Sequence, residues 1–253
     1  MTPRRAQLVG ALVALALFIA CARAVIHLPG YGESRGPYEQ RRAIEAVRAR
    51  HATNLDAFVN FDIRGFDTLG EEFIFLVSVA GFALLLRERR AETEDDERAA
   101  TPPRNPGSPD PVIRAASLVF VPFALVFGLY VVAHGQLTPG GGFQGGVALA
   151  TGALGIFLGA GFERYRRTVP KDAVEAFEML GAFGYIATGA AGLLGGGVFL
   201  RNLLPLGQTG SLFSGGTIDL LNYAVGMAVA GGFIVVFIEF LKETLAPKGE
   251  RRT

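Results

Sequence analysis

Arg64, Asp67 and Glu71 stand three and four residues apart in the run Asn60-Phe61-Asp62-Ile63-Arg64-Gly65-Phe66-Asp67-Thr68-Leu69-Gly70-Glu71-Glu72. On an α-helix this spacing stacks them on one face, with Ser78 two turns further on. The run leads directly into the apolar residues 73–86, which reach only about 21 Å at 1.5 Å per residue, short of the roughly 30 Å of a bilayer core. A membrane span here must therefore recruit the acidic stretch, which puts Glu71 about a third of the way in from one side. An ionisable group at that depth costs several kcal/mol unless it pairs or meets water, so it faces protein or a hydrated path. Two roles fit: a proton or cation relay, for which Glu71 is the leading candidate, or a fixed ladder of Arg64, Asp67 and Glu71 that starts the helix and docks a partner. Glu72 is expected to point elsewhere.

The second constellation is Tyr130-Val131-Val132-Ala133-His134-Gly135-Gln136-Leu137-Thr138-Pro139-Gly140-Gly141-Gly142-Phe143-Gln144-Gly145-Gly146. His134 ends an apolar stretch, where an imidazole could pass protons or serve as a hydrogen-bonded cap that holds the loop. Pro139 ends local helicity, and the glycines after it permit backbone angles closed to other residues. Gly142 and Gly146, Gly155 and Gly159, and Gly192 and Gly196 are each four apart, the pattern of close helix pairs in lipid. A phosphate-binding loop is excluded, because the Gly-Lys-Ser/Thr ending is absent. Asp219, Asn222 and Glu239 lie near the ends of the last apolar stretch, where headgroups or solvent are the expected neighbours. His27 and His51 are isolated, and no group of Cys, His or carboxylate residues has metal-ligand spacing. No nucleophile has a base beside it, so neither a catalytic residue nor a cofactor is expected.

These residues need a membrane to position them. The 253 residues are 50% hydrophobic and 19% charged, with a mean hydropathy of +0.36, where a soluble domain carries about 25% charged residues. Apolar runs cover residues 8–28, 66–86, 112–133, 145–162, 177–200 and 218–241, which predicts an all-α integral membrane protein of about six spans. The net charge of +1 hides an uneven distribution. Arg4 and Arg5, the arginines of 87–104, those of 164–171 and the basic residues after Lys242 fall on one side, and the opposite side is poorer in Lys and Arg. By the positive-inside rule both termini are cytoplasmic. Cys21 is the single cysteine; after Arg4, Arg5 and an apolar stretch it admits a lipoprotein signal, but the apolar run continues past it, as a first membrane anchor does. Residues 87–111, charged and then Pro-rich, are expected to resist regular structure and to form a cytoplasmic linker. Residues 38–61, with Ile44, Val47, Leu55 and Phe58 among polar partners, are expected to form an external helix along the membrane surface or a neighbouring subunit.

The segment FDIRGFDTLGE before an apolar helix resembles the C-terminal end of the large A-type subunit of Mrp antiporters, and equally the small E-type subunit of membrane-bound hydrogenases. The resemblance implies that the glutamate matching Glu71 lies in the membrane and serves ion translocation. The segment HGQLTPGGGFQGG resembles the motif of the B-type, or MnhB, family of antiporter subunits, and the last span with Asp219 is similar to that family's. Together they imply four parts: 1–90, a two-helix segment; 91–111, the linker; 112–246, an MnhB-like four-helix domain; and 247–253, a cytoplasmic tail. The expected function is that of a non-catalytic subunit of a multi-subunit monovalent cation/proton (Na+/H+) antiporter in a bacterial or archaeal cell membrane. A membrane-arm subunit of a hydrogenase or related respiratory complex is the alternative. Partners are expected to resemble the A, C, D, E, F and G components of such antiporters, or hydrogenase-like subunits, and to exclude nucleic acid. An autonomous carrier is disfavoured by the lack of an internal repeat and the few intramembrane charges.

Overall fold

A computed structural model describes residues 37–97 and 110–245, together with isolated positions between 7 and 26. The expected first span at 8–28 is described only at those isolated positions, and Cys21, the Pro-rich half of the linker and the tail 247–253 lie outside the described residues. The chain divides into two compact units, Met1–Ile44 and Glu45–Thr253. Apart from the start of the first helix, the described elements belong to the second unit.

They are α1 (Pro37–Arg50, which begins in the first unit), α2 (Leu55–Phe58), a π-helical turn (Val59–Ile63), α3 (Gly65–Glu97), α4 (Pro111–Ala133), α5 (Gly142–Ala160), α6 (Phe162–Thr168), α7 (Lys171–Gly196) and α8 (Thr217–Leu245). Five of these helices are long and apolar enough to cross a membrane: Gly65–Leu86, Pro111–Ala133, Gly142–Ala160, Lys171–Gly196 and Thr217–Lys242. The protein is an all-α, multi-pass membrane protein, as its apolar runs predict.

Two expectations need correction. The surface helix predicted over 38–61 is broken, because His51 adopts a positive φ of 52° and the chain restarts at Asn54, whose side chain accepts from the Asp56 amide. The charged segment after Leu86, expected to resist regular structure, continues α3 as far as Glu97. A helix already propagating adds one hydrogen bond per residue fixed, so strong helix formers such as Arg, Glu and Ala extend it beyond the apolar stretch.

α8 is the centre of the bundle. It packs on α3, α4, α5 and α7, and 67% of its membrane window is buried against them, compared with 11% for α3. Glycine permits this closeness. A Cβ at Gly146 would lie 2.9 Å from Val229 Cβ, and one at Gly142 would strike the Asn222 carbonyl and stand 2.7 Å from Val225 Cβ. On the other side of α5, Gly145 and Gly155 meet α4, while Gly181 of α7 meets the α8 backbone at Ala224 and Ala228. The pair Gly192 and Gly196 serves differently from expectation: both face the loop that follows α7, around Val198, Leu200 and Arg201. Outward positions such as Ile74, Val77, Leu118, Val126 and Leu194 are exposed apolar side chains, as helices facing lipid or neighbouring subunits require.

Candidate functional site

The two sequence constellations meet at one end of the bundle. Asn54 Nδ2 donates to the carbonyls of Gly135 at 2.7 Å and Thr138 at 3.0 Å, and its amide donates to the Gln136 carbonyl at 2.9 Å. Thr53 Oγ1 donates to the Leu137 carbonyl at 2.6 Å. Gln136, 1% exposed, reaches across to the Leu212 carbonyl at 2.6 Å. The loop of residues 134–141 is thus held between the chain before α3 and the loop that precedes α8.

The glycines then set the start of α5. Gly140 and Gly141 have φ values of 143° and 144°, a region open to glycine and strained for other residues. The first amide of α5 is satisfied from another helix, since Gly142 N–H donates to Asn222 Oδ1 at 3.1 Å. Asn222 Nδ2 in turn donates to the Ile218 carbonyl at 3.2 Å. Asn222 and Glu239 are both 0% exposed and Asp219 is 4% exposed, which corrects the expectation that these positions meet headgroups or solvent. Asp219 accepts the Gly215 amide, and Glu239 Oε1 accepts from Lys171 Nζ at 2.5 Å and Lys242 Nζ at 3.3 Å.

A cleft of roughly 420 Å³ opens between these parts. Asp56 and Asn60 line it from α2 and the π-helical turn, Glu71, Glu72 and Phe75 from α3, Gly140 to Gln144 from the loop and α5, and Asn222 and Val225 from α8. The π-helical turn sets the entry of α3: Arg64 N–H donates to the Val59 carbonyl at 2.8 Å, and Thr68 Oγ1 donates back to the Asn60 carbonyl at 2.9 Å. Tyr185 of α7 donates its hydroxyl proton to the Gly65 carbonyl at 2.8 Å, tying the start of α3 to the bundle.

Of the residues singled out from sequence, the cleft gathers Glu71, Gly140, Gly141, Gly142, Phe143 and Asn222. Arg64 and Asp67 form the lower rungs of the ladder at 2.6 Å on the exposed face of α3, outside the lining. Glu71 shares that face. His134 lies outside the cleft as the C-cap of α4, with its Nδ1 3.0 Å from the Tyr130 carbonyl and its ring stacked on Tyr130. Gly145 and Gly146 serve helix packing, and Pro139 precedes the turn.

Glu72, expected to point elsewhere, lines the same cleft as Glu71 and is the buried one of the two. It is 8% exposed, and its Oε2 has no hydrogen-bond partner among the described residues. Gly65, Thr68, Glu72 and Val79 are the buried residues along this face of α3, at the spacing of one helical face. That signal is present in the sequence but is hidden by the more familiar charge spacing of Arg64, Asp67 and Glu71. A buried carboxyl with an unsatisfied oxygen, opening on a cleft, can take up and release a proton; fixed by a partner, it could not do so as readily.

A family model described as a domain related to the MnhB subunit of Na+/H+ antiporter matches residues 112–235. The B component of the Na(+)/H(+) antiporter of Alkalihalophilus pseudofirmus is 30% identical over 145 residues, which are 54% of this chain and 97% of the relative. Among solved structures, the archaeal respiratory membrane complex named the membrane-bound sulfane sulfur reductase contains a similar chain. The TM-score is 0.70 at 25% identity, covering 96% of this chain and 99% of that one. The Mrp complex from Dietzia contains another, with a TM-score of 0.69 at 25% identity, covering all of this chain and 27% of that longer one.

Proposed function

This chain belongs to the family of proteins related to the MnhB subunit of Na+/H+ antiporters, and from that membership we propose that it is a membrane subunit of a multi-subunit cation/proton antiporter. It contributes helix packing throughout and ion handling at one cleft. Residues 1–90 supply the span that carries Glu71 and Glu72, and residues 112–246 supply the glycine loop and the central helix against which that span packs. Both termini face the cytoplasm, so the cleft opens on the outer side. Its partners are the other antiporter subunits. The arrangement needs no catalytic group, because moving an ion requires a sequence of sites and not bond rearrangement.

The observation that carries this reading is Glu72, buried and with an oxygen unpartnered among the described residues, where the FDIRGFDTLGE and PGGGFQGG segments converge. Glu71, on the same cleft, passes the ion between the outside and Glu72. Arg64 and Asp67 hold the helix start and present an ion pair to a neighbour, and His134 caps α4. The test is cation-driven proton exchange in inverted vesicles carrying the whole complex. Glu72→Gln is expected to lower exchange by about a hundredfold or more, the low end of what a positioned proton-transfer group contributes, with Glu71→Gln weaker in the same direction. Asp67→Ala is expected to change the yield of assembled complex more than its turnover. Full exchange in both Gln variants would leave this chain a scaffold alone.

A second reading, the membrane arm of a redox-driven complex, is favoured by the end-to-end match to the sulfane sulfur reductase chain, which extends through the two-helix segment. Purification in mild detergent separates the two. Iron–sulfur subunits in the purified complex support the redox-driven arm, and a large antiporter subunit without them supports the antiporter.

A further inference from the structure

The bundle holds another buried carboxyl in the membrane that the cleft does not use. Glu178 of α7 is 5% exposed, and its Oε1 has no hydrogen-bond partner among the described residues. It lies seven residues into α7 from Lys171, about 10 Å along the helix from the end opposite the cleft. α8 accommodates it with two glycines. A Cβ at Gly231 would stand 2.6 Å from Glu178 Cβ, and a Cβ at Gly232 would stand 2.5 Å from Phe75 Cε1 and 3.1 Å from Glu178 Oε1. The Phe75 ring and the Glu178 carboxyl therefore share the space that a side chain at Gly232 would fill.

Phe75 is also part of the cleft wall that contains Glu72. Its ring meets Phe233 at 5.1 Å and Phe143 at 6.4 Å between centroids, and Phe143 and Phe233 are themselves 6.4 Å apart. Towards the opposite end, Lys171 Nζ bonds Glu175 at 3.2 Å and Glu239 at 2.5 Å, and Lys242 bonds Glu239 at 3.3 Å. Along the bundle the order is the open cleft with Glu72, Phe75 and Phe143 on its wall, Phe233 packed on both rings, Glu178 beside the Phe75 ring at Gly232, then Glu175 with the Lys171–Glu239–Lys242 group. Titratable groups are interrupted by one apolar layer.

We propose that this chain carries protons across the membrane through Glu72 and Glu178, with the Phe75, Phe143 and Phe233 cluster as the gate between them. The proposal rests on the ion-handling reading of Glu72 and extends it to a complete path. In each transfer the Glu72 carboxylic acid releases its proton to a file of water and becomes a carboxylate, while the Glu178 carboxylate takes a proton from the other end of that file and becomes the acid. The proton on Glu178 then passes by way of Glu175 to the Lys171–Glu239 end. Apolar constrictions gate by dewetting, so the path conducts when the rings part enough for water and closes when they meet. A metal cation would have to shed its water among three phenyl rings with one carboxylate on either side; a proton needs only the water file.

The test is proton flux, read with an entrapped pH dye, in proteoliposomes containing the whole purified complex. Glu178→Gln keeps the shape of the side chain and is expected to lower flux by about a hundredfold or more, with Glu178→Asp recovering a large part of it. Phe75→Ala is expected to raise the passive proton leak measured without a cation gradient. A Glu178→Gln complex of normal abundance and flux overturns the path. If Glu72→Gln is then inactive, the cleft reading survives alone; if Glu72→Gln also retains full flux, both fall. Should Glu178→Gln hinder assembly, Phe75→Ala decides, and an unchanged leak overturns the gate.

Discussion

Asn222 divides one amide between two helices, with Oδ1 accepting from Gly142 N–H and Nδ2 donating within α8. Gly135 and Gly141 pack against the same side chain. Truncation would orphan a buried amide at the start of α5 and leave a void under the loop. Asn222→Ala is therefore expected to destabilise the protein by about 1–3 kcal/mol, the range for an unsatisfied buried donor, seen as a lowered Tm in detergent, while Asn222→Asp keeps the acceptor and recovers part of the loss. At this scale the sequence was only half legible. The shared face of Arg64, Asp67 and Glu71 follows from spacing, and the Arg64–Asp67 pair forms on it. Glu178 is not legible from the sequence, because the apolar run begins at Phe177 and so places it at the surface; α7 begins at Lys171, so Glu178 is two turns inside. Asn222 and Glu239 were misplaced for a related reason, since distance from a helix end says nothing about what folds over that end.

Among the elements, helix positions were the most legible, because length and hydropathy alone define a span. The glycine pairs were legible as close-packing sites but not as to partner. Gly142 and Gly146 meet α8, whereas Gly192 and Gly196 meet their own following loop. The difference predicts distinct outcomes. Gly146→Val places two methyl groups into Val229 and is expected to cost about 1–3 kcal/mol through overpacking, with loss of assembled complex on native gels. Gly184→Ala is expected to be nearly silent in the same assay, since its nearest neighbour, Ala224 Cβ, stands at an ordinary 3.7 Å. The extension of α3 to Glu97 was not legible, because charge and the later prolines suggested a linker throughout, while Arg, Glu and Ala are good helix formers that carry a helix already begun.

For the whole molecule, the charge asymmetry of the connections predicts which side each loop occupies. Ser108→Cys, in an otherwise cysteine-free Cys21→Ser background, is expected to resist a membrane-impermeant maleimide in intact cells and to react in inverted vesicles; the reverse pattern would turn the topology over. The bundle also joins what the sequence separates. The charged and Pro-rich stretch between Leu86 and Val112 separates two resemblances along the chain, yet α3 packs on α8 and α7, and the cleft draws lining from both sides of it. No single segment contains the site, which is why motif reading found its components but not the inward carboxyl they surround.

The burial of α8 has a mechanical consequence. Near one end Asn222 holds the glycine loop, and near the other Glu239 holds Lys171, with close-packed contacts along the length between them. Protein interiors packed to this density transmit displacement with little give. A neighbour that pulls on the glycine loop therefore tilts a stiff strut, and the strain arrives at the opposite end of the bundle as a load on the Lys171–Glu239–Lys242 group.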